Sequence, residues 1–386
     1  LMHIAFITPE YPHPKIKNSG GLGTSIKNLV AALVSQRIEV TVFVYGQQNA
    51  EFFKENGVTF HFIPNQNYRF AKWFFYRKYI QKYINKVVET QKIDLLEAAD
   101  WTGITAFMKF KIPLVIRFHG SDTYFCHLEQ RPQKRKNFWF EKLAVQNATA
   151  FIAPTQFAGE VSAKLFSIPA EKVTTIHYGL TLSNFVNTTP EQFETETLLY
   201  LGTVIRKKGV FELPTIFNEV RKQFPKAKLI IIGNDAPDIQ TGSQSTWSLV
   251  EKLFAKEALP FVTFLGKKPY EEVQNYIKKA HVCLFPTYAE TLGMVTIEAM
   301  ALQKPVVNSN IGWANELLID GESGFLVHPS DHTLFAEKIV TLFSDRALCS
   351  KMGQLANKRV AAVFDIDKKV RENISFYSSI LESEKN

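Results

Sequence analysis

Residues 286–300 read PTYAETLGMVTIEAM, from Pro286 to Met300. The apolar run before them, Ala280–Phe285 (AHVCLF), has the composition of a buried strand. After them, Val295, Ile297, Ala299, Met300 and Leu302 keep helical apolar spacing. A strand, a short polar turn with a glycine and a helix start form an anion-binding construction. The first N–H groups of a helix lack internal partners and carry the positive end of its dipole. Here the start falls at Leu292, Gly293 and Met294, with Glu290 in the turn before it and Glu298 inside the helix. Carboxylates are poor phosphate ligands but good acceptors for sugar hydroxyls. A phosphate socket bracketed by two such acids suits a sugar–diphosphate–ribose molecule. Taken alone, the stretch suits an ordinary strand–turn–helix with a surface acid equally well, so its neighbours decide.

Working outward, strands and helices alternate along the chain. Expected strands are His3–Thr8, Val40–Tyr45, Val58–Ile63, Ile93–Glu97, Pro113–Phe118 and Ala150–Ala153. The polar segment 187–196 (NTTPEQFETE) has no apolar period and is expected to link two domains. The pattern then restarts with strands at Leu198–Gly202, Lys228–Ile232, Val262–Leu265, His281–Phe285, Pro305–Asn308 and Ser323–Val327. Helices are expected around Gly209–Phe224, Ser245–Glu257, Tyr270–Lys279, Val295–Ala301 and His332–Phe343. A chain of 386 residues, 46% hydrophobic, exceeds one ordinary core. The fold class is therefore α/β: two doubly wound, Rossmann-like domains, expected to face each other across a cleft, with ligands beyond the strand carboxyl ends.

Other segments add chemistry. Leu201–Gly209 (LGTVIRKKG) is a strand end and a basic turn entering a helix, so Arg206 and Lys208 are placed to neutralise a diphosphate leaving group. The N-terminal glycine loop, with Gly21 and Gly23, fails the dinucleotide pattern because Ile26 stands where its third glycine belongs. Its backbone N–H groups remain candidates for a phosphate or an acceptor. His119, in Arg117–Asp122 (RFHGSD), ends a strand where it can donate to a hydroxyl or act as acid or base. Glu97, Asp100 and Asp122 fall on the same edge and are assigned to the acceptor side. Asp365-Ile366-Asp367 is taken as a helix start rather than a metal site, and no metal cluster is visible.

The formal net charge is +8. Two basic clusters stand out: residues 68–92, interleaved with aromatic residues, and residues 131–142. They suit a solvated helix face over an aromatic core, or an anionic surface such as a membrane. No nucleic-acid motif accompanies them. Cys126, Cys283 and Cys349 have no metal-like spacing. A reduced, cytoplasmic protein is expected, peripheral to the inner face of the membrane through 68–92, without a transmembrane helix or a signal peptide.

Glu290 and Glu298 have the E-x7-E spacing of retaining glycosyltransferases with the GT-B fold, and the chain resembles glycosyltransferase family 4. The motifs run in family order: the glycine loop at 20–23, HGSD at 119–122, GTVIRKKG at 202–209, FLG at 264–266, AETLGMVTIEAMA at 289–301 and ELLIDGESGFLV at 316–327. The resemblance implies a UDP- or GDP-sugar donor held mostly by the second domain, a glycan or lipid-linked acceptor, and no required metal or other cofactor. Glu298 would meet the ribose and Glu290 the donor sugar. The amides of Leu292, Gly293 and Met294 would hold the diphosphate with Lys208, His119 would reach the transferred sugar, and Gly266 and Lys268 would lie beside the base. The domains implied are 1–187 with a C-terminal helix at about 365–386 crossing back onto it, and 196–364. One departure is Thr203, where the family usually has arginine; Arg206 is the candidate replacement. A non-catalytic nucleotide-sugar-binding subunit is the alternative that Thr203 leaves open.

Overall fold

The computed structural model describes residues 2–17 and 19–384. It divides into two units: Leu1–Gly179 with Ile366–Asn386, and Leu180–Asp365. The polar segment 187–196 lies inside the second unit, where the Asn187 amide donates to the Leu302 carbonyl at 2.9 Å and Arg346 donates to the Glu191 carbonyl at 2.6 Å.

The first unit carries strands β1 (His3–Thr8), β2 (Glu39–Gln47), β3 (Glu51–Glu55), β4 (Val58–Pro64), β5 (Leu95–Ala99), β6 (Leu114–Arg117), β7 (Ala150–Ala153) and β8 (Val173–Thr175). They form one sheet in the order β3-β4-β2-β1-β5-β6-β7-β8, parallel except for the β3–β4 hairpin. Its helices are α1 (Gly21–Ser35), α2 (Lys72–Gln91), α3 (Asp122–Leu128), α4 (Arg135–Gln146) and α5 (Gln156–Phe166). Alternate residues of a strand serve opposite faces. Ala5 and Ile7 of β1 join Ile80 and Ile84 of α2 and Phe140 of α4 in one core. Ile4 and Phe6 join Val30 and Leu33 of α1, and Val370, Tyr377 and Ile380 near the C-terminus, in the other. Burial on both faces is why these strands read as unbroken apolar runs.

The second unit orders its six parallel strands β11-β10-β9-β12-β13-β14. These are β9 (Thr197–Leu201), β10 (Lys228–Ile232), β11 (Val262–Phe264), β12 (Val282–Phe285), β13 (Val306–Ser309) and β14 (Phe325–Val327). Helices α6 (Leu213–Gln223), α7 (Trp247–Val250), α8 (Tyr270–Lys279), α9 (Met294–Ala301), α10 (His332–Ser344) and α11 (Arg346–Val363) accompany them, and α12 (Ile366–Ser383) returns to the first unit. Chain order reverses between β9 and β12, and in the first unit between β1 and β5. These are the switch points where the loops of an open α/β sheet diverge and leave a crevice.

Several elements differ from the sequence reading, among them the short strand β8, which it did not include. The strand β3 was not expected, although Asn56-Gly57 after it is a strong hairpin signal; both have positive φ, at 50° and 80°. Helix α11 was not expected either. The helix expected over Ser245–Glu257 shrinks to α7 and a short 3-10 turn. Among the described residues, no helix is long and apolar enough to cross a membrane.

Candidate functional site

The loops after β9 and β12 meet at the second unit's switch point. The Lys207 carbonyl accepts the Tyr288 N–H at 2.9 Å and the Ala289 N–H at 3.2 Å. Gly209, at φ 72°, lies so close to the Pro286 carbonyl that a Cβ there would fall 1.8 Å from its oxygen. The basic turn and the acidic turn are thus one interlocked structure, and it brings Lys208 onto Glu290 as an ion pair with both side chains about one-fifth exposed or less. Burial pushes the Glu290 carboxyl upward, but Lys208 and Lys207 outweigh it and hold the group below its ordinary value.

Gly293 takes φ 98° immediately before α9, a conformation that costs a side-chain-bearing residue dearly. Among the described residues, the amides of Leu292, Gly293 and Met294 have no acceptor, as a helix start leaves them. Glu298, in α9, accepts from the Tyr270 hydroxyl at 3.1 Å. Burial raises its carboxyl to about 7, with the tyrosine bond pulling the other way. Tyr270 was missed by the sequence reading, although it lies two residues beyond Lys268.

Other second-unit residues are placed as follows. Thr203 is exposed, and its carbonyl accepts from the Tyr200 hydroxyl at 3.2 Å. Arg206 donates bidentately to Asp238 at 2.9 and 2.8 Å and lies 4.0 Å over the ring of Phe211. That pairing brings the Asp238 carboxyl down to about 2. The guanidinium expected to replace an arginine at Thr203 is thus already engaged. The Gly266 carbonyl accepts the Gly233 N–H at 3.0 Å, and Lys268 lies 3.7 Å from Glu272. Glu212, also missed, bonds to Tyr288 at 3.1 Å and pairs with His332, bracing the acidic turn from outside.

In the first unit, His119 stacks on Tyr178, whose hydroxyl is 2.7 Å from its Nδ1. Burial first, then the Arg117 charge, drops the imidazole to about 3. The ring is therefore neutral at working pH, and among the described residues its Nε2 has no partner. Asp100, 1% exposed, accepts the His119 N–H at 2.9 Å through one oxygen, while the other has no hydrogen-bond partner among the described residues. Burial raises this carboxyl to about 7.

Two first-unit expectations are corrected. Two of the glycine-loop amides are not open: one Glu10 oxygen accepts from Gly20 at 3.0 Å and from Gly23 at 2.8 Å, so the start of α1 already has its anion. Gly21, between them, is the exposed first residue of that helix. Glu97 is not an acceptor-side group. It is 2% exposed and accepts from Arg117 at 2.6 and 3.0 Å and from Tyr377 at 2.6 Å. Asp122 is held by Arg131 and Asn137, each at 3.0 Å. Among the described residues, no three His, Cys, Asp or Glu side chains are grouped to hold a metal ion.

The model of glycosyl transferases group 1 matches residues 185–359, and that of glycosyltransferase family 4 matches residues 19–184. An uncharacterised glycosyltransferase of Methanocaldococcus jannaschii is 25% identical over 99% of both chains. The sucrose-phosphate synthase of Thermosynechococcus elongatus shares the fold with a TM-score of 0.80, at 20% identity, over 99% of this chain and 100% of that one. Anabaena HepE, solved in complex with UDP and glucose, gives 0.73 at 19% identity over 98% and 100%. Two family models in succession along the chain and two Rossmann-like parallel-sheet domains lead to one conclusion: this protein belongs to the family 4 glycosyltransferases with the GT-B fold.

Proposed function

We propose that this glycosyltransferase takes its sugar from a UDP- or GDP-sugar and passes it, with retention of anomeric configuration, to a hydroxyl of a glycan or lipid-linked acceptor. The observation that carries this reading is the cluster at the second unit's switch point. Three acceptor-free amides, at Leu292, Gly293 and Met294, stand beside a Lys208–Glu290 pair, with Glu298 further along the same helix. The amides and Lys208 suit the diphosphate. Glu290, kept ionised, suits hydroxyls of the donor sugar, and Glu298 those of the ribose.

The acceptor oxygen bonds to the anomeric carbon on the face that the diphosphate leaves, as the carbon–oxygen bond to phosphate breaks. The acceptor proton passes to the departing diphosphate oxygen. The protein's part is positioning and charge stabilisation. His119, neutral and open at Nε2, serves a hydroxyl of the transferred sugar as a hydrogen-bond partner rather than as a cation. No divalent metal enters the scheme, so turnover should survive EDTA.

A thermal-shift screen of nucleoside diphosphates and their sugars tests the donor class. UDP or GDP should raise the melting temperature of the wild type, and Lys208→Ala should lose most of that rise. A flat screen across all bases removes the reading. Proton NMR of the product anomer decides retention. A second reading, a non-catalytic nucleotide-sugar-binding subunit, draws on Thr203 and on the engagement of Arg206 by Asp238. Donor binding without transfer to any acceptor or to water would favour it.

A further inference from the structure

Two basic runs that lie apart in the sequence meet on the first unit, and aromatic rings join them. Phe70 packs on Phe75 at 5.7 Å, Phe75 on Phe74 at 5.5 Å, and Phe74 on Trp73 at 5.9 Å. Phe107 bridges onward, 5.5 Å from Trp73 and 5.3 Å from Trp139. Four of these rings are open to solvent: Phe70 is 71% exposed, Trp139 50%, Trp73 38% and Phe75 36%. A continuous aromatic surface with its largest members in water is what a monomer normally avoids.

Arg77 makes the patch rigid. It is buried, lies 4.6 Å over Phe140, and donates to the carbonyls of Trp73, Thr102 and Gly103, tying α2 to α4 through the 102–103 turn. It is therefore a clamp and not part of the surface charge. The surface charge comes from Arg69, Lys72, Lys134, Arg135 and Lys136, all exposed. No acid occurs from Gln66 to Val88 or from Gln130 to Phe140. Among the described residues, none of those five cations pairs with a carboxylate.

We propose that this composite face of α2, its leading turn and the start of α4 docks on an anionic lipid bilayer. The aromatic rings would enter the interfacial layer, and the ring of cations would meet the headgroup phosphates. Tryptophan and phenylalanine flanked by unpaired lysine and arginine are the side chains that layer selects. A second copy of the chain is a poor occupant, because the two patches would bring like charges together. The inference stands on the first unit alone and does not depend on the donor reading.

The test is sedimentation of the whole protein with vesicles of phosphatidylcholine, with and without phosphatidylglycerol. The protein should pellet with the anionic vesicles at low salt and be released by about 0.5 M salt. Brominated acyl chains should quench its tryptophan fluorescence. Lys72→Glu with Arg135→Glu should weaken binding at least about twentyfold, from about fivefold per cation. Phe70→Ala with Trp139→Ala should keep the salt dependence but lose most of the quenching. All four side chains are exposed, so melting temperature and UDP-induced shift should stay at wild-type values. Absence of pelleting at low salt, equal binding to neutral vesicles, or full binding by the charge variant overturns the proposal. So does displacement by short duplex DNA more readily than by anionic lipid, or a stable dimer without vesicles.

Discussion

Glu290 and Glu298 carry the same group and are pulled in opposite directions. Lysines keep the first ionised, while burial holds the second near neutrality. If Glu298 accepts from ribose hydroxyls, only its carboxylate binds well, and below about 7 a proton competes with the donor. UDP should therefore bind about tenfold more weakly near pH 6 than near pH 8. The Tyr270 hydroxyl favours the carboxylate, so Tyr270→Phe should shift the midpoint of that dependence to higher pH, and Glu298→Gln should flatten it. Titration calorimetry across this range checks the sign. A wild-type affinity independent of pH would remove Glu298 from the donor site.

Helix α12 is fastened to the sheet by a buried polar group. Arg117 of β6 pairs with Glu97 of β5 and donates to Asn373 at 2.6 Å and to Tyr377 at 3.2 Å. Breaking a buried pair leaves an uncompensated charge. Arg117→Met should cost about 3–5 kcal/mol in urea unfolding, and adding Glu97→Leu should recover a large part. Strictly additive losses would show that the two residues act independently. This group also marks where the sequence stopped being informative. The strands and the E-x7-E turn were legible because apolar spacing and a strand–glycine–helix succession are local patterns. Glu97 was misassigned because its partners come from a neighbouring strand and from a helix 280 residues further along the chain. The filling of the glycine loop by Glu10 was hidden similarly: glycine spacing reveals open amides, not the side chain that reaches them. Tyr270 lacked any local signal beyond its place two residues past Lys268.

At the scale of the whole molecule, the path of the chain matters more than its composition. It leaves the first unit at Gly179, builds the second, and returns at Ile366. The apolar face offered by Ile4, Phe6, Val30 and Leu33 is closed by Val370, Tyr377 and Ile380. A chain ending at Asp365 should keep the second unit's core and its UDP-induced thermal shift, while the first unit melts separately and earlier. One transition at the wild-type temperature would contradict this. The return crossing also fixes the timing of synthesis. The first unit emerges from the ribosome before the second and cannot be sealed until helix α12 is made. Between those events lies the whole second unit, on the order of ten seconds or more of elongation. Through that interval the nascent first unit presents an uncovered greasy face, a standing invitation to chaperones and a hazard when translation stalls late.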